Sequence, residues 1–146
     1  MRKILAFAIT LLFLSCGATK NVRNKEKVLK GNWNLTNIAY SKTGSYNVTL
    51  FNDASKECLE GSSWKFVPNN NSGVYVIEKP NCSNGERDFA FTIDEVNAAT
   101  GYYDFLLKPK NQEGAVGFRL KLMQMNETSM IWQQNITVNG SPFLIN

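Results

Sequence analysis

Three cysteines are the most informative reactive residues of this 146-residue chain, because the chain contains no histidine. Without an imidazole it cannot build a Ser-His-Asp or Cys-His catalytic arrangement, a histidine metal site or a histidine general base at neutral pH. Lysine and carboxylate bases remain available. The chemistry open to the chain therefore depends first on Cys16, Cys58 and Cys82.

Cys16 follows a short N-terminal segment with the features of an export signal. Met1, Arg2 and Lys3 form a basic start, and an apolar run follows over residues 4–14. As a helix this run rises only about 16 Å, whereas the hydrocarbon core of a bilayer is about 30 Å thick. The pattern predicts a secretory signal over residues 1–15 that is removed on maturation.

The residues around the predicted cleavage site, Phe13-Leu14-Ser15-Cys16-Gly17, resemble the lipobox of bacterial lipoproteins in the looser form common in Bacteroidota. The resemblance implies that Cys16 becomes the mature N-terminus and carries a thioether-linked diacylglycerol, usually with an amide-linked acyl chain. Several acyl chains, at about 0.8 kcal/mol per buried methylene, anchor a domain firmly to a membrane. A plain secretory signal with an incidental cysteine is the alternative.

The other two cysteines, Cys58 and Cys82, form an even pair once Cys16 is assigned to lipidation. Export places them in an oxidising compartment, where thiols pair. A bridge between them would close a loop of 25 residues, which the chain-entropy model values at about 3 to 4 kcal/mol. Two unpaired buried thiols are the alternative.

Residues 17–30 carry five basic side chains and one acid, and few large apolar residues. This composition predicts a solvated linker, a basic tether that could also lie against anionic lipid headgroups. Bacteroidota lipoproteins sent to the cell exterior usually carry acidic residues directly after the cysteine, and residues 17–20 contain none. The resemblance therefore implies a lipoprotein of the cell envelope, on the outer membrane and facing the periplasm.

The net charge of +4 comes from these two N-terminal segments. The signal contributes +2 through Arg2 and Lys3, and residues 17–30 contribute +4. From residue 31 onward, nine basic and eleven acidic residues give −2. The basic balance is therefore no evidence for nucleic acid, and we predict no such partner.

From residue 31 onward, apolar and polar residues alternate at period two in segments separated by turn residues. Residues 52–61 lose the alternation and are predicted to form a short helical turn that contains Cys58. About nine strands with short connections predict an all-β fold, an antiparallel up-and-down barrel of eight to nine strands over residues 31–146. The predicted strands are 32–40, 46–51, 64–67, 74–79, 87–94, 102–108, 115–125, 130–138 and 141–146.

Gly31 and Trp33 open this domain and resemble the Gly-x-Trp entry of lipocalin-like barrels. Further segments resemble the lipocalin-like lipoproteins of flavobacteria over nearly all of residues 31–146. These segments are Leu50-Phe51-Asn52-Asp53-Ala54, Cys58, Gly61-Ser62, Trp64-Lys65-Phe66, Asn70-Asn71-Ser72-Gly73, Tyr75, Cys82, Gly117-Phe118-Arg119-Leu120 and Gly140-Ser141-Pro142-Phe143. The resemblance implies a lipocalin-like barrel in the cell envelope. Relatives usually run further in the last strand, which leaves closure of the barrel open.

In lipocalins the entry tryptophan commonly packs beneath an arginine from a late strand. Arg119 is the only arginine in the late strands here, but its phase opposes Phe118 and Leu120. The alternation therefore favours an outward Arg119 over a pairing with Trp33.

Aromatic side chains in the apolar phase of the strands are the candidates for ligand binding. An eight-stranded barrel is wide enough to be filled by side chains or to hold one small ligand, so these aromatics either pack the core or line a site. Asn37 and Gln134 share the apolar phase and could orient a ligand's polar end. The candidate ligand-binding residues are Trp64, Phe66, Phe89, Phe91, Phe105 and Phe118.

The carboxylates do not form a catalytic or metal-binding pattern, and solvated loop acids are the usual explanation for such scattered residues. They are Asp53, Glu57, Glu60, Glu86, Asp88, Asp94 and Glu95. We therefore predict no enzyme, cofactor or metal. We expect a membrane-anchored protein that binds a small apolar or amphipathic ligand. The alternative is a structural or assembly accessory that docks to another envelope protein through loops or a free strand edge.

Overall fold

An antiparallel sheet of eight strands, coiled into a barrel-like shape, forms the body of the computed structural model, which describes residues 20–97, 102–110, 114 and 116–146. The strands of this sheet are β1 (Gly31–Asn34), β4 (Ser63–Val67), β5 (Ser72–Ile77), β6 (Gly85–Asn97), β7 (Tyr102–Pro109), β8 (Phe118–Met125), β9 (Met130–Val138) and β10 (Ser141–Ile145). A separate hairpin pairs β2 (Thr49–Leu50) with β3 (Ala54–Ser55). The helices are α1 (Lys20–Leu29), α2 (Lys56–Leu59) and a 3₁₀ turn at Pro68–Asn70.

The eight strands lie in the sheet in the order in which they follow along the chain, each antiparallel to its neighbours. Alternation at period two sends one set of side chains inward. Phe105 on β7, for example, is opposite Ile93 on β6 and Leu120 on β8, and all three are buried. The predicted all-β, antiparallel, barrel-like fold is confirmed.

The first predicted strand, residues 32–40, is divided into two parts, so its prediction as a continuous strand was wrong. β1 pairs with β4, and Leu35 extends this pairing through backbone bonds to Ser62 and Gly61 of 2.9 and 2.7 Å. After an interruption, the chain pairs with the last strand instead. Ala39 and Asn146 exchange two backbone hydrogen bonds of 2.7 and 2.9 Å. Residues 39–41 thus bring the chain back to the free side of β10 and partly close the sheet.

The predicted strand over residues 46–51 is reduced to β2, and the chain turns sharply directly after it. Phe51 and Asn52 both have left-handed backbone, with φ of 54° and 53°, and the Asp53 amide donates to the Leu50 carbonyl at 2.9 Å. Two consecutive positive φ values are typical of a tight hairpin turn. The predicted helical turn containing Cys58 is present as α2.

The predicted disulfide is confirmed. Cys58 on α2 is bonded to Cys82 in the loop between β5 and β6, with the two Cα atoms 5.7 Å apart. Lys79 strengthens the same junction, because its ammonium donates to the backbone carbonyls of Glu57 and Glu60. The segment from β2 to α2 is therefore bound to the sheet covalently and by hydrogen bonds.

Residues 20–29, predicted as part of a solvated linker, form helix α1 instead and pack against the sheet. Val22 and Leu29 are 4% and 1% exposed, and the Trp33 indole N–H donates to the Leu29 carbonyl at 2.9 Å. The linker prediction was wrong here. It rested on the charged composition, whereas Val22 and Leu29, seven residues apart, share one helix face and are buried together. Within the described residues, no helix is long and apolar enough to cross a bilayer. The predicted signal, residues 1–15, and Cys16 lie outside the described residues.

Candidate functional site

A cavity of about 440 Å³ lies between residues 33–39 and the first half of β9. β10 pairs with β9 only from Gln134 to Val138. The residues from Met130 to Gln133 therefore pair with β8 on one side and, within the described residues, with no strand on the other. The cavity occupies this interruption of the barrel wall. Its lining includes Trp33, Leu35, Asn37, Ile38, Leu50, Phe51, Trp64, Phe66, Leu120, Met130, Trp132 and Gln134.

All three tryptophans of the chain line this cavity. Two of them have their indole N–H satisfied: Trp33 by the Leu29 carbonyl, and Trp64 by the Ser62 hydroxyl oxygen at 2.9 Å. The indole N–H of Trp132 is buried and has no acceptor among the described residues. An unpaired buried donor is costly, because it has lost its hydrogen bond to water and gained none in return.

The six predicted ligand-binding aromatics fall into three groups. Trp64 and Phe66 line the cavity. Phe89, Phe91 and Phe105 are at most 2% exposed and surround Phe66, with ring centres 5.4 to 6.1 Å from it. Phe118 is half-buried and contacts Phe51, with ring centres 5.5 Å apart. The structure thus places two of the six at the cavity, while three fill the barrel behind them.

Several lining residues were not singled out from the sequence, above all Trp132 and Phe51. Trp132 stacks on Phe105 with ring centres 4.8 Å apart, so it joins the cavity to the packed interior. Its signal was present, because Met130, Trp132 and Gln134 recur at period two. Gln134 and Asn37, predicted as polar groups in the apolar phase, both line the cavity.

Phe51 lines the cavity from a strained backbone position. A bulky residue with φ of 54° is unusual, and left-handed backbone costs a non-glycine residue about 1–2 kcal/mol. Burial of the side chain, which is 7% exposed, offsets this cost. Its ring meets Trp64 and Phe118 edge-on, at 5.9 and 5.5 Å between ring centres. The hairpin turn thus covers one side of the cavity.

A polar network holds this turn against the sheet. Asp53 Oδ2 accepts hydrogen bonds from the Tyr75 hydroxyl at 2.7 Å and from Arg87 Nε at 3.0 Å. Burial, and then the hydrogen bond to Asp53, raise the pKa of Tyr75. The interpretation of Asp53 as a solvated loop acid was wrong, because its side chain is only 16% exposed and ion-paired. The residues of the turn beside Asp53 contain no pattern that indicates its ion pair with Arg87.

Trp33 and Arg119 do not pair. Arg119 is exposed and forms an ion pair with Asp104, so its predicted outward orientation is confirmed. The partner of the Trp33 indole is instead the end of α1. The entry residue Gly31, two residues beyond the end of α1, has φ of 131°, a conformation that favours glycine.

The site offers apolar surface and a few hydrogen-bonding groups. Within the described ranges, no group of three or more histidine, cysteine, aspartate or glutamate residues could hold a metal ion. No family model matches the chain, and neither the curated proteins nor the solved structures provide a match.

Proposed function

We propose that this protein is a lipid-anchored, lipocalin-like lipoprotein that binds a small apolar or amphipathic molecule in its cavity, without catalysing a reaction. The observation that carries the proposal is the cavity itself, about 440 Å³ in volume and lined by Trp33, Phe51, Trp64, Phe66 and Trp132. Small-molecule sites typically have about 300–1,000 Å³, mostly apolar walls and a few polar groups. The cavity has all three properties.

The chemistry of the lining favours a ligand with an apolar body and one polar end. Each buried methylene contributes about 0.8 kcal/mol, so a chain with eight of them gains about 6 kcal/mol before the costs of binding. Gln134 and Asn37 line the cavity and offer amide groups. A carboxylate, carbonyl or hydroxyl group on the ligand would suit these partners.

Native mass spectrometry of protein purified from its own envelope tests this function. We expect the protein to carry an additional mass, which extraction with organic solvent removes. After the solvent is replaced by buffer, the protein should regain this mass from a lipid extract of the envelope. A protein that carries no ligand from the envelope and takes up none from the extract would contradict the proposal.

The anchor is proposed from the residues around Cys16, which resemble a lipobox. The absence of acidic residues over residues 17–20 supports a position in the cell envelope, facing the periplasm. Labelling of growing cells with an alkyne fatty acid tests the anchor. We expect label on the natural chain and none on the Cys16→Ser variant. Equal labelling of both chains, or of neither, would overturn the anchor and leave the cavity's function standing.

The second candidate function is a structural or assembly accessory that docks to an envelope protein through a free strand edge. Among the described strands, β9 offers such an edge from Met130 to Gln133. The edge of β10 is already occupied, because Ala39 and Ser41 bond to it. In-cell crosslinking from Ile131, which is 43% exposed, would yield one stoichiometric partner for an accessory protein. A carrier of small molecules would yield none.

A further inference from the structure

We propose that one face of α1 docks on anionic lipid headgroups and so fixes the orientation of the barrel relative to the membrane. This inference rests on the proposed lipid anchor at Cys16. The docking face consists of Lys20, Arg23 and Lys27, which are all exposed. Their spacing of three and four residues places them on one side of the helix.

The docking face cannot turn independently of the barrel, because the opposite face of α1 is packed. Val22 and Leu29 are buried there. Lys25 is also on the packed side, with Nζ 5.6 Å from the centre of the Tyr103 ring and 3.5 Å from the Met125 carbonyl. Lys25 therefore serves helix packing and is not part of the docking face.

The charge of this face is not neutralised by the part of the chain that the structure describes. The ion pairs found there involve Lys56, Arg87 and Arg119, and none involves Lys20, Arg23 or Lys27. Each cation near an anionic membrane contributes about 1 kcal/mol, which corresponds to about a fivefold gain in binding. The remainder of the domain, from residue 31, has net charge −2, so α1 is the cationic part of the mature chain.

The position of the lipid brings this face within reach of the headgroups. Cys16 precedes Lys20 by four residues, and four extended residues span at most about 14 Å. The Debye length at physiological salt is about 8 Å, so the anionic headgroups attract the cations of α1 only when the helix lies against the membrane surface. A short connection favours this arrangement, whereas a solvated linker through residue 30 would not.

Lysine footprinting of the full lipidated chain in vesicles tests the docking face. An amine-acetylating reagent is applied to protein in phosphatidylcholine vesicles, with and without one quarter phosphatidylglycerol. We expect phosphatidylglycerol to slow acetylation of Lys20 and Lys27 about fivefold and 0.5 M NaCl to abolish this protection. The exposed barrel lysines Lys65, Lys108 and Lys121 serve as internal controls. Protection equal to theirs, or the same in phosphatidylcholine alone, would overturn the proposal.

A charge-neutral variant provides the second measurement. Lys30, the exposed lysine directly after α1, should also be protected by phosphatidylglycerol in the natural chain. K20Q/R23Q/K27Q should remove this protection of Lys30, while K65Q/K108Q/K121Q should retain it. Protection of Lys30 in both variants would contradict the docking face. A natural chain that lacks lipid and fails to enter the vesicles would instead refute the anchor, so the two failures are distinguishable.

Discussion

The two sides of the barrel interior contain the same kinds of side chain but are filled differently. On the side of β5 to β7, Phe89, Phe105 and Leu107 have no exposed surface. A Cβ atom at Gly73 there would collide with the Phe89 ring and the Lys65 carbonyl. On the side of β1 and β9, Trp33 and Trp132 border a cavity of about 440 Å³.

The difference between the sides lies in the backbone. β6 has a paired neighbour on each side, β5 and β7. Among residues 20–97, 102–110 and 116–146, no second strand pairs with β9 before Gln134, and the chain opposite it is interrupted after Leu35. Where no strand continues the wall, no alternating side chains enter to fill the interior. The cavity thus follows from an interrupted sheet, although aromatic residues are abundant on both sides.

Truncation of a large side chain should cost most on the packed side. Phe105→Ala should lower the free energy of unfolding by about 3–5 kcal/mol, because the neighbours cannot collapse into the space. Leu35→Ala, at the half-buried rim of the cavity, should cost less than about 2 kcal/mol. Urea denaturation of both variants measures these values. Equal costs would contradict the distinction between a packed and an open side.

Removal of the disulfide should release the segment that covers the cavity. The variant Cys58→Ser/Cys82→Ser should lose about 3 kcal/mol of stability, because the bridge closes a loop with a sequence separation of 24. Urea denaturation at neutral pH checks this value. A loss below about 1 kcal/mol would show that the contacts of α2 hold the segment without the bridge.

Tyr75 should make the stability of the folded protein sensitive to high pH. Its pKa is raised in the folded state by burial and by the hydrogen bond to Asp53, so the unfolded chain loses this proton first. Stability is therefore fully present below pH 10 and falls as pH rises toward the raised value, by up to about 1.4 kcal/mol per pH unit. Tyr75→Phe should show a shallower decline between pH 10 and 11. Identical slopes would contradict this role.

Narrowing the rim should weaken binding while leaving stability almost unchanged. Thr36 is exposed and lines the cavity, so Thr36→Phe takes room from about two methylene groups of a ligand and should weaken binding of N-phenyl-1-naphthylamine about tenfold. Thr137→Phe, at an exposed position of β9 outside the cavity, is the matched control. A fluorescence titration compares the two variants. An equal effect of both would place the probe elsewhere.

The period-two pattern predicts the sheet well, because β4, β5, β7 and β8 alternate buried and more exposed side chains over most of their length. It fails where the backbone departs from that period. The interruption between Leu35 and Ala39 depends on bonds to Ser62 and Asn146, which are distant in sequence. The left-handed turn at Phe51 contains no glycine to indicate it. The pattern gives little indication of helix α1, because its charged residues outnumber its two buried residues.

The sequence indicates that aromatic side chains form the candidate site, but not which of them line the cavity. In-phase aromatics indicated a core or a ligand site, and Trp64 and Phe66 do line the cavity. Phe89 and Phe91 share the same pattern yet pack solidly, because residual volume depends on how the wall closes. The pairing of Asp53 with Arg87, 34 positions away, likewise follows from the tertiary fold.

Quenching of tryptophan fluorescence by 12-bromododecanoic acid tests the cavity as a binding site most directly. All three tryptophans line the cavity, so the intrinsic fluorescence of the protein reports on this one place. We predict that the brominated acid quenches more than half of the emission in a saturable way, that dodecanoic acid competes, and that dodecanoic acid alone does not quench. Emission that the brominated acid leaves unchanged up to its solubility limit would contradict the proposed function.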